Sequence, residues 1–227
     1  VSSTVDVTID PLPATAVTPT AGSYCGAGTV DAIASGANTY TWSPMTGVTV
    51  NSASGHDVTL SPATTTTYTV TGSNNCATSD ATVDVTVTVP TGDPNDFGLN
   101  TWNVYCYDGN NFNTFMGMYV HNTLDFDTRT IWANNSTPSN APGYSGCAIP
   151  TDNHSFRYKR QGFDCGYYQI DSPNHDDRVN LIIDGVSVFS QNSWFSNTYK
   201  ADIWRGYLDA DTEIEYTVRE FSGGSNG

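Results

Sequence analysis

Two adjacent aspartates, Asp176 and Asp177, stand directly before an apolar stretch that begins at Val179. In an extended strand, successive side chains point to opposite faces, so neighbouring carboxylates diverge. Aiming both at one point requires a local change of backbone direction, such as a cis peptide bond. A hard cation such as calcium would offset that cost, because it binds several oxygen ligands at once. The pair therefore predicts a calcium site, and the competing interpretation is a polar turn that enters a strand.

The composition excludes several classes of partner. The chain has 227 residues with 23 acidic and 8 basic side chains, a net charge of -15 and a pI near 4.1. Such acidity opposes binding to nucleic acid or to an anionic membrane surface. No apolar run approaches the roughly 20 residues that a bilayer span needs, so membrane insertion is not expected. The chain has neither an initiator methionine nor a signal peptide, which predicts a processed or excised piece of a secreted protein.

The chain divides into two halves of different character. Twenty of the acidic residues are aspartate, which favours strands and loops over helices. All eight basic residues lie at or beyond Arg129, and most aromatic residues lie beyond residue 96. Short runs of alternating polar and apolar residues, separated by turn-forming residues, fill both halves. We predict an all-β chain of two antiparallel β-sandwich domains, at residues 11–90 and 97–227, joined by a Pro/Gly/Asp linker at 91–96.

Residues 4–9 (TVDVTI) recur as residues 82–87 (TVDVTV), 78 residues later. That period matches one small sandwich, so residues 1–10 are predicted to be the terminal strand of a preceding repeat in a tandem array. Coincidence between two strands rich in valine and threonine is the alternative. Trp42 lies between two cysteines, as in the immunoglobulin pattern, but these cysteines sit outside the predicted strands. The first domain is therefore immunoglobulin-like only in a loose architectural sense.

Five cysteines indicate an oxidising, extracellular environment. They include no Cys-x-x-Cys pair, so a zinc ribbon is not expected. Cys25 and Cys76 flank the strands of the first domain, and a Cys25–Cys76 bridge could staple its end. Cys147 and Cys165 flank a strand region of the second domain and are predicted to pair with each other. Cys106, within a predicted strand, is then an odd thiol that we expect to be buried and inert.

From residue 97 onwards the chain resembles the protective-antigen-type lectin-like β-sandwich of bacterial toxins, glycosidase appendages and yeast flocculins. The resemblance is carried by these residues: a strand opening at Trp102, Gly-Met-Tyr at 117–119, Lys-Arg-Gln-Gly-Phe at 159–163, the Asp176-Asp177 pair, and Asp184-Gly185 after an apolar strand. The Asp-Asp pair followed by that strand is the most specific part. The combination with acidic, threonine-rich sandwich repeats is similar to giant surface adhesins of gliding bacteria.

The resemblance implies a function for particular residues. In flocculin-like members a cis Asp-Asp pair binds calcium and the hydroxyls of a sugar complete the coordination, which assigns Asp176 and Asp177 to the metal. A second calcium loop of the family supplies an asparagine, and Asn226 occupies the matching position. The strand that should follow it is absent, so the second domain is expected to lack its final strand.

Other candidates for ligand binding lie outside this motif. Trp194 and Trp204 fall in loop-like segments and could stack on a sugar, and Arg178 could hydrogen-bond its hydroxyls. The alternative for both tryptophans is a place in the core. Glutamate is nearly absent and no acid–base motif frames the aspartates, so the chain is not expected to be a glycosidase or any other enzyme.

The prediction is therefore a fragment of a secreted bacterial cell-surface adhesin, located outside the cell, that binds glycans or polysaccharide surfaces through calcium. The alternative is a structural spacer or a filament subunit. In that case neighbouring subunits or domains of the same protein would share strands, and there would be no glycan ligand.

Overall fold

A computed structural model of the chain describes residues 4–5, 12–132, 137–172, 175–192 and 200–223. The chain forms two compact units, unit 1 (Val1–Thr88) and unit 2 (Val89–Gly227). Within the described residues, strands dominate and helix is limited to two short turns, so the predicted all-β sandwich fold is confirmed. No helix in these ranges is long and apolar enough to cross a membrane.

Unit 1 is a sandwich of two four-stranded sheets with the orders β1-β3-β6-β5 and β2-β8-β7-β4. The strands are β1 (Ala16–Thr18), β2 (Ala21–Cys25), β3 (Val30–Ser35), β4 (Thr39–Ser43), β5 (Val48–Val50), β6 (Asp57–Leu60), β7 (Thr66–Ser73) and β8 (Thr78–Thr88). The β2–β8 pair is parallel, whereas the sequence predicted only antiparallel pairs.

The alternation of residues explains the core of unit 1. Strand β3 buries every second residue and exposes the others, as half-buried strands do. Trp42 and Tyr68 fill the space between the sheets, and the Trp42 indole Nε1 donates to the Gly55 carbonyl at 2.9 Å. Residues 1–3 and 6–11 lie outside the described residues, so the strand predicted at 1–10 stays a prediction.

Unit 2 contains a large sheet and a two-stranded sheet. The large sheet has the order β12-β11-β10-β13-β18-β15-β16, and β9 pairs with β13 in parallel; the second sheet is the antiparallel pair β14-β17. The elements are β9 (Gly98–Leu99), β10 (Trp102–Asp108), β11 (Thr114–His121), α1 (Thr128–Ile131), a 3-10 turn (Pro138–Asn140), β12 (Ser145–Gly146), β13 (His154–Gln161), β14 (Gly166–Ser172), β15 (Arg178–Ile183), β16 (Val186–Gln191), β17 (Lys200–Leu208) and β18 (Ile214–Arg219).

Aromatic side chains build the core of unit 2. Phe126 stacks on Tyr158 with a centroid separation of 3.9 Å, and Trp132 lies edge-on to Phe156 at 4.8 Å. A chain of polar groups crosses this core, in which the Trp132 indole donates to the Tyr119 hydroxyl and that hydroxyl lies 2.6 Å from the Tyr158 hydroxyl. These contacts fix the large sheet on which β15 and β18 lie side by side.

Both predicted disulfide pairings are wrong. Cys76 and Cys165 are free and exposed thiols, whereas Cys25 and Cys147 are both disulfide-bonded. Each predicted pair flanks one strand region in the sequence, but flanking the same region does not bring two thiols within bonding distance. Cys106 is a free thiol and fully buried, as predicted, and burial raises the pKa of its thiol.

Candidate metal and glycan site

Strand pairing brings the Asp-Asp pair to one end of the large sheet, where β15 begins beside the end of β18. Strand β15 begins just after Asp177 and pairs antiparallel with β18, with Arg178 opposite Arg219. The start of β15 therefore lies beside the end of β18, where Glu220 follows. The Asp177 amide donates to the Arg219 carbonyl at 3.2 Å, which ties the two strand ends together.

Three carboxylates converge at this end of the sheet. The peptide bond between Asp176 and Asp177 is cis. Asp176, Asp177 and Glu220 each place a carboxylate oxygen so that these oxygens lie within 4.8 Å of one another. Asp176 is 8% exposed and Glu220 is fully buried, so two of the three charges are removed from water. This group of three residues is called the carboxylate cluster below.

Hydrogen bonds tie the residues of the cluster to the sheet. The Phe221 amide donates to Asp177 Oδ2 at 2.9 Å, and His175 Nδ1 donates to the Asp177 carbonyl at 3.2 Å. The Glu220 amide donates to the His154 carbonyl at 2.9 Å, which anchors Glu220 to the first residue of β13. The Asp177 carboxylate is therefore oriented by a backbone amide, and the backbone of Glu220 is anchored to β13.

The environment of Glu220 disfavours its negative charge. Burial, followed by the negative charges of Asp176, Asp177 and Asp152, raises the pKa of Glu220 to about 8. Within the part of the chain that the structure describes, no hydrogen bond of normal geometry reaches either Glu220 Oε atom, although the nearby Ser222 backbone amide opposes the rise in pKa slightly. Among the described residues, no ion pair involves Asp177 or Glu220. A buried carboxylate without a compensating donor or cation is costly, and a bound cation would remove that cost.

The donor set of the cluster fits a hard cation. All three ligand groups are carboxylates, which suit calcium or magnesium better than softer metals. A calcium ion with bonds of about 2.3–2.6 Å places opposite ligands about 5 Å apart, which accommodates the spacing of the cluster. The cluster could therefore hold a metal ion, as the Asp-Asp pair predicted, with Glu220 as a third ligand.

The other predicted site residues have different places. Arg178 is exposed at the rim, with its guanidinium 4.6 Å from the centre of the Phe221 ring. Trp204 lies in β17 rather than in a loop, and it is half-buried against the core of unit 2. Trp194 and Asn226 lie outside the described residues, so their predicted roles stay predictions.

Sequence analysis missed Glu220. Its signal was available in part, because it directly follows the last alternating strand and is one of three glutamates in the chain. Only the pairing of β15 with β18 reveals that this position lies beside Asp176 and Asp177.

Comparison with known proteins gives only distant similarities. No protein-family model and no curated protein matches the chain. Among solved structures, an anti-sigma factor domain-containing protein from Clostridium clariflavum is similar with a TM-score of 0.36 and 16% identity, over 75% of this chain and 57% of that one. A calcium-binding mutant of Bacteroides uniformis beta-glucuronidase 2 is similar with a TM-score of 0.30 and 13% identity, over 95% of this chain and 29% of that one. The chain therefore matches only part of the length of each protein.

His154, next to the carboxylate cluster, gives a prediction for pH dependence. Its side chain is fully buried, Nδ1 donates to the Pro150 carbonyl at 3.1 Å, and burial lowers its pKa to about 4 from the usual 6.5. Between these values the unfolded chain binds a proton at His154 that the folded chain does not, so the contribution of His154 to stability falls as the pH drops from 6.5 to 4. This loss should reach about 3 kcal/mol.

Urea unfolding of the wild type and of His154→Asn at pH 7 and pH 4.5 measures this contribution. The variant is expected to be less stable at pH 7, because it loses packing, and to lose less stability on acidification. Equal losses in both proteins would show that His154 is not held neutral by burial.

Proposed function

We propose that the chain is part of a secreted bacterial surface adhesin in which unit 2 binds glycans through calcium held by the carboxylate cluster. The single observation that carries this proposal is the convergence of Asp176, Asp177 and Glu220 at one end of the large sheet. Its three carboxyl groups offer only oxygen donors, which suit a hard cation. The resemblance to protective-antigen-type lectin-like sandwiches, noted from the sequence, supports the same assignment.

Each residue of the cluster has a defined part in binding. Asp176 and Asp177, at the start of β15, and Glu220, at the end of β18, would supply the carboxylate ligands. When bound, the ion supplies a positive centre that attracts hydroxyl oxygens. The sheet fixes the direction of the cluster because the Asp177 carboxylate accepts from Phe221 and the Glu220 amide donates to His154.

The rim of the cluster offers groups that suit a sugar. Arg178 is exposed and stacked on Phe221, whose side chain is 37% exposed. A guanidinium donates several hydrogen bonds, and hydroxyl groups of a sugar accept them. An aromatic ring packs against the apolar face of a sugar. We infer that Arg178 and Phe221 contact the glycan, and that unit 2 binds the glycan rather than cleaving it.

The extracellular location is supported by the cysteines. Cys25 and Cys147 are disulfide-bonded, and disulfides persist mainly in oxidising environments outside the cytosol. Unit 1, a small sandwich of the kind found in tandem arrays, would then act as a stalk repeat that carries unit 2 away from the cell surface.

A glycan array probed with calcium and again with a chelator tests the proposed function. Wild-type protein is expected to bind at least one glycan only when calcium is present. Asp177→Asn should lose that binding by at least about tenfold, because it removes one charged ligand from the cluster. Asp211→Asn makes the same chemical change in an exposed turn and should bind like the wild type.

If no glycan on the array requires calcium for binding, or if Asp177→Asn binds the calcium-dependent glycans as well as the wild type does, the proposal is contradicted. A second candidate function, a filament subunit that shares strands, is favoured by one observation. Within the described parts of unit 2, the second sheet has only the strands β14 and β17, and each leaves an edge unpaired. Fibres in negative-stain images of the array samples, without glycan binding, would support that function.

A further inference from the structure

The outer face of the β14-β17 sheet carries a pair of exposed tyrosines. Tyr167 and Tyr207 lie directly opposite each other in the antiparallel register. Their side chains are 64% and 77% exposed, and the ring centres lie 5.2 Å apart with an angle of 76° between the planes. The two rings therefore form a corner, in which the face of one ring meets the edge of the other.

Polar side chains continue this face along both strands. Gln169 lies opposite Arg205, two residues from each tyrosine, so all four side chains point to the same side. Gln169 Nε2 donates to Asp171 Oδ1 at 2.8 Å, and Arg205 Nε lies 2.5 Å from Asp202 Oδ1. The planar amide and guanidinium groups are therefore held in fixed positions beside the aromatic corner. We call Tyr167, Gln169, Arg205 and Tyr207 the tyrosine face.

The exposure of these rings contrasts with the use of aromatic residues elsewhere in unit 2. Tyr105, Tyr119 and Tyr158 are almost fully buried, and burial of an aromatic side chain is strongly favourable. Single exposed apolar groups are common on protein surfaces. Two large rings in contact, ordered on paired strands and bordered by fixed hydrogen-bonding groups, are typical of a binding surface.

We propose that the tyrosine face is a second binding surface, which holds a neutral polysaccharide without calcium. A sugar ring has an apolar face that packs on an aromatic ring and an edge of hydroxyls that both donate and accept hydrogen bonds. The two tyrosine rings can pack on the apolar face of a sugar. For its hydroxyls, Gln169 and Arg205 offer donors, and Asp171 and Asp202 offer acceptors. A polymer could contact both the aromatic corner and the polar groups along the strands.

Charge argues against other occupants of the tyrosine face. Arg205 is paired with Asp202, and Asp171 adds a negative charge nearby, so an anionic polymer would be repelled. A second copy of the chain would bring a further net charge of -15 against this one. A neutral polysaccharide meets neither obstacle.

The tyrosine face is separate from the carboxylate cluster. Its four residues lie on β14 and β17, whereas Asp176, Asp177 and Glu220 lie at the ends of β15 and β18 in the large sheet. Binding at the tyrosine face uses ring stacking and hydrogen bonds of the chain itself. It should therefore persist in a chelator, so that failure of this proposal can be distinguished from failure of the proposed calcium site.

Co-sedimentation of the full chain with particles of cellulose, chitin and curdlan, in the presence of a chelator, tests the proposal. The wild type is expected to bind at least one of these neutral polymers. Tyr167→Ala/Tyr207→Ala should weaken binding at least tenfold, whereas Tyr167→Phe/Tyr207→Phe keeps the rings and should bind within a few-fold of the wild type. Asp177→Asn should bind like the wild type.

The variants should keep the unfolding temperature of the wild type, because both side chains are mainly exposed. If the double alanine variant unfolds, Tyr207→Ala alone provides the test, with an expected loss of several-fold. Lack of binding to all three polymers, binding only with calcium, or equal binding by the alanine variant would overturn the proposal. Stronger binding to insoluble carboxymethyl-cellulose particles, or self-association that disappears in the alanine variant, would assign the face to an anionic polymer or to a second copy, and would also overturn it.

Discussion

Calcium at about one hundred times its dissociation constant is expected to stabilise unit 2 by about 2.7 kcal/mol, which raises its unfolding temperature by about 8 °C. The reason is that the ion binds the folded cluster and finds no comparable group of oxygens in the unfolded chain. Asp176 and Glu220 are buried, and without a cation their charges oppose folding. Four of the five tryptophans lie beyond residue 100, so their fluorescence reports mainly on this unit.

Thermal unfolding in calcium and in chelator measures the effect. Asp176→Asn should show little or no rise with calcium, because one charged ligand is lost. Asp211→Asn, in an exposed turn, should show the same rise as the wild type. If the wild type unfolds at the same temperature in calcium and in chelator, the cluster does not bind calcium in the folded state.

Local patterns in the sequence were sufficient to predict most strands. Runs of alternating or mainly apolar residues identified β10, β13, β15 and β18 to within one or two residues at each end; β15 buries every second residue, whereas β10 and β13 are buried at nearly every position. The Asp184-Gly185 turn was also predicted, and both residues have positive φ angles, 48° and 76°. These features depend on neighbouring residues alone.

Strand β17 was the main element missed in unit 2. Trp204 was predicted to lie in a loop-like segment, yet Lys200–Leu208 forms a strand that pairs with β14. Its alternation is interrupted by Asp202, which has a φ of 64°, and by Gly206, whose missing side chain leaves room for the Trp204 ring. Without that strand, the tyrosine face could not be predicted, because Tyr207 has its partner on β14.

Features that join distant parts of the chain could not be predicted. The wrong disulfide pairings and the omission of Glu220 both concern residues that are far apart in the sequence, and local patterns do not report such contacts. The Asp-Asp pair was identified because its two residues are adjacent in sequence. Its third carboxylate lies 43 residues beyond Asp177, at Glu220, and meets it only through the β15–β18 pairing.

Glu220→Gln is expected to change stability in opposite directions with and without calcium. At pH 7 in chelator, Glu220 is largely protonated in the folded wild type, because its pKa is about 8 there. In the unfolded chain its pKa is about 4.5. Because this pKa is higher in the folded state, the free energy of unfolding falls as the pH rises from 4.5 to 8. At pH 7 the loss is about 3 kcal/mol. Glutamine avoids this loss, and its amide can donate to the neighbouring aspartates.

Calcium should reverse which of the two proteins, the wild type or Glu220→Gln, is the more stable. The ion compensates the charge of Glu220 in the wild type, whereas the neutral glutamine is a weaker ligand, so the variant gains little from calcium. Urea unfolding at pH 7 should therefore find Glu220→Gln the more stable protein in chelator and the less stable one in saturating calcium. Glu213→Gln, the same substitution at the opposite end of β18, should follow the wild type in both conditions. A Glu220→Gln protein that is less stable than the wild type in chelator would show that the Glu220 carboxylate stabilises the fold by itself, and the cation would not be needed to explain its burial.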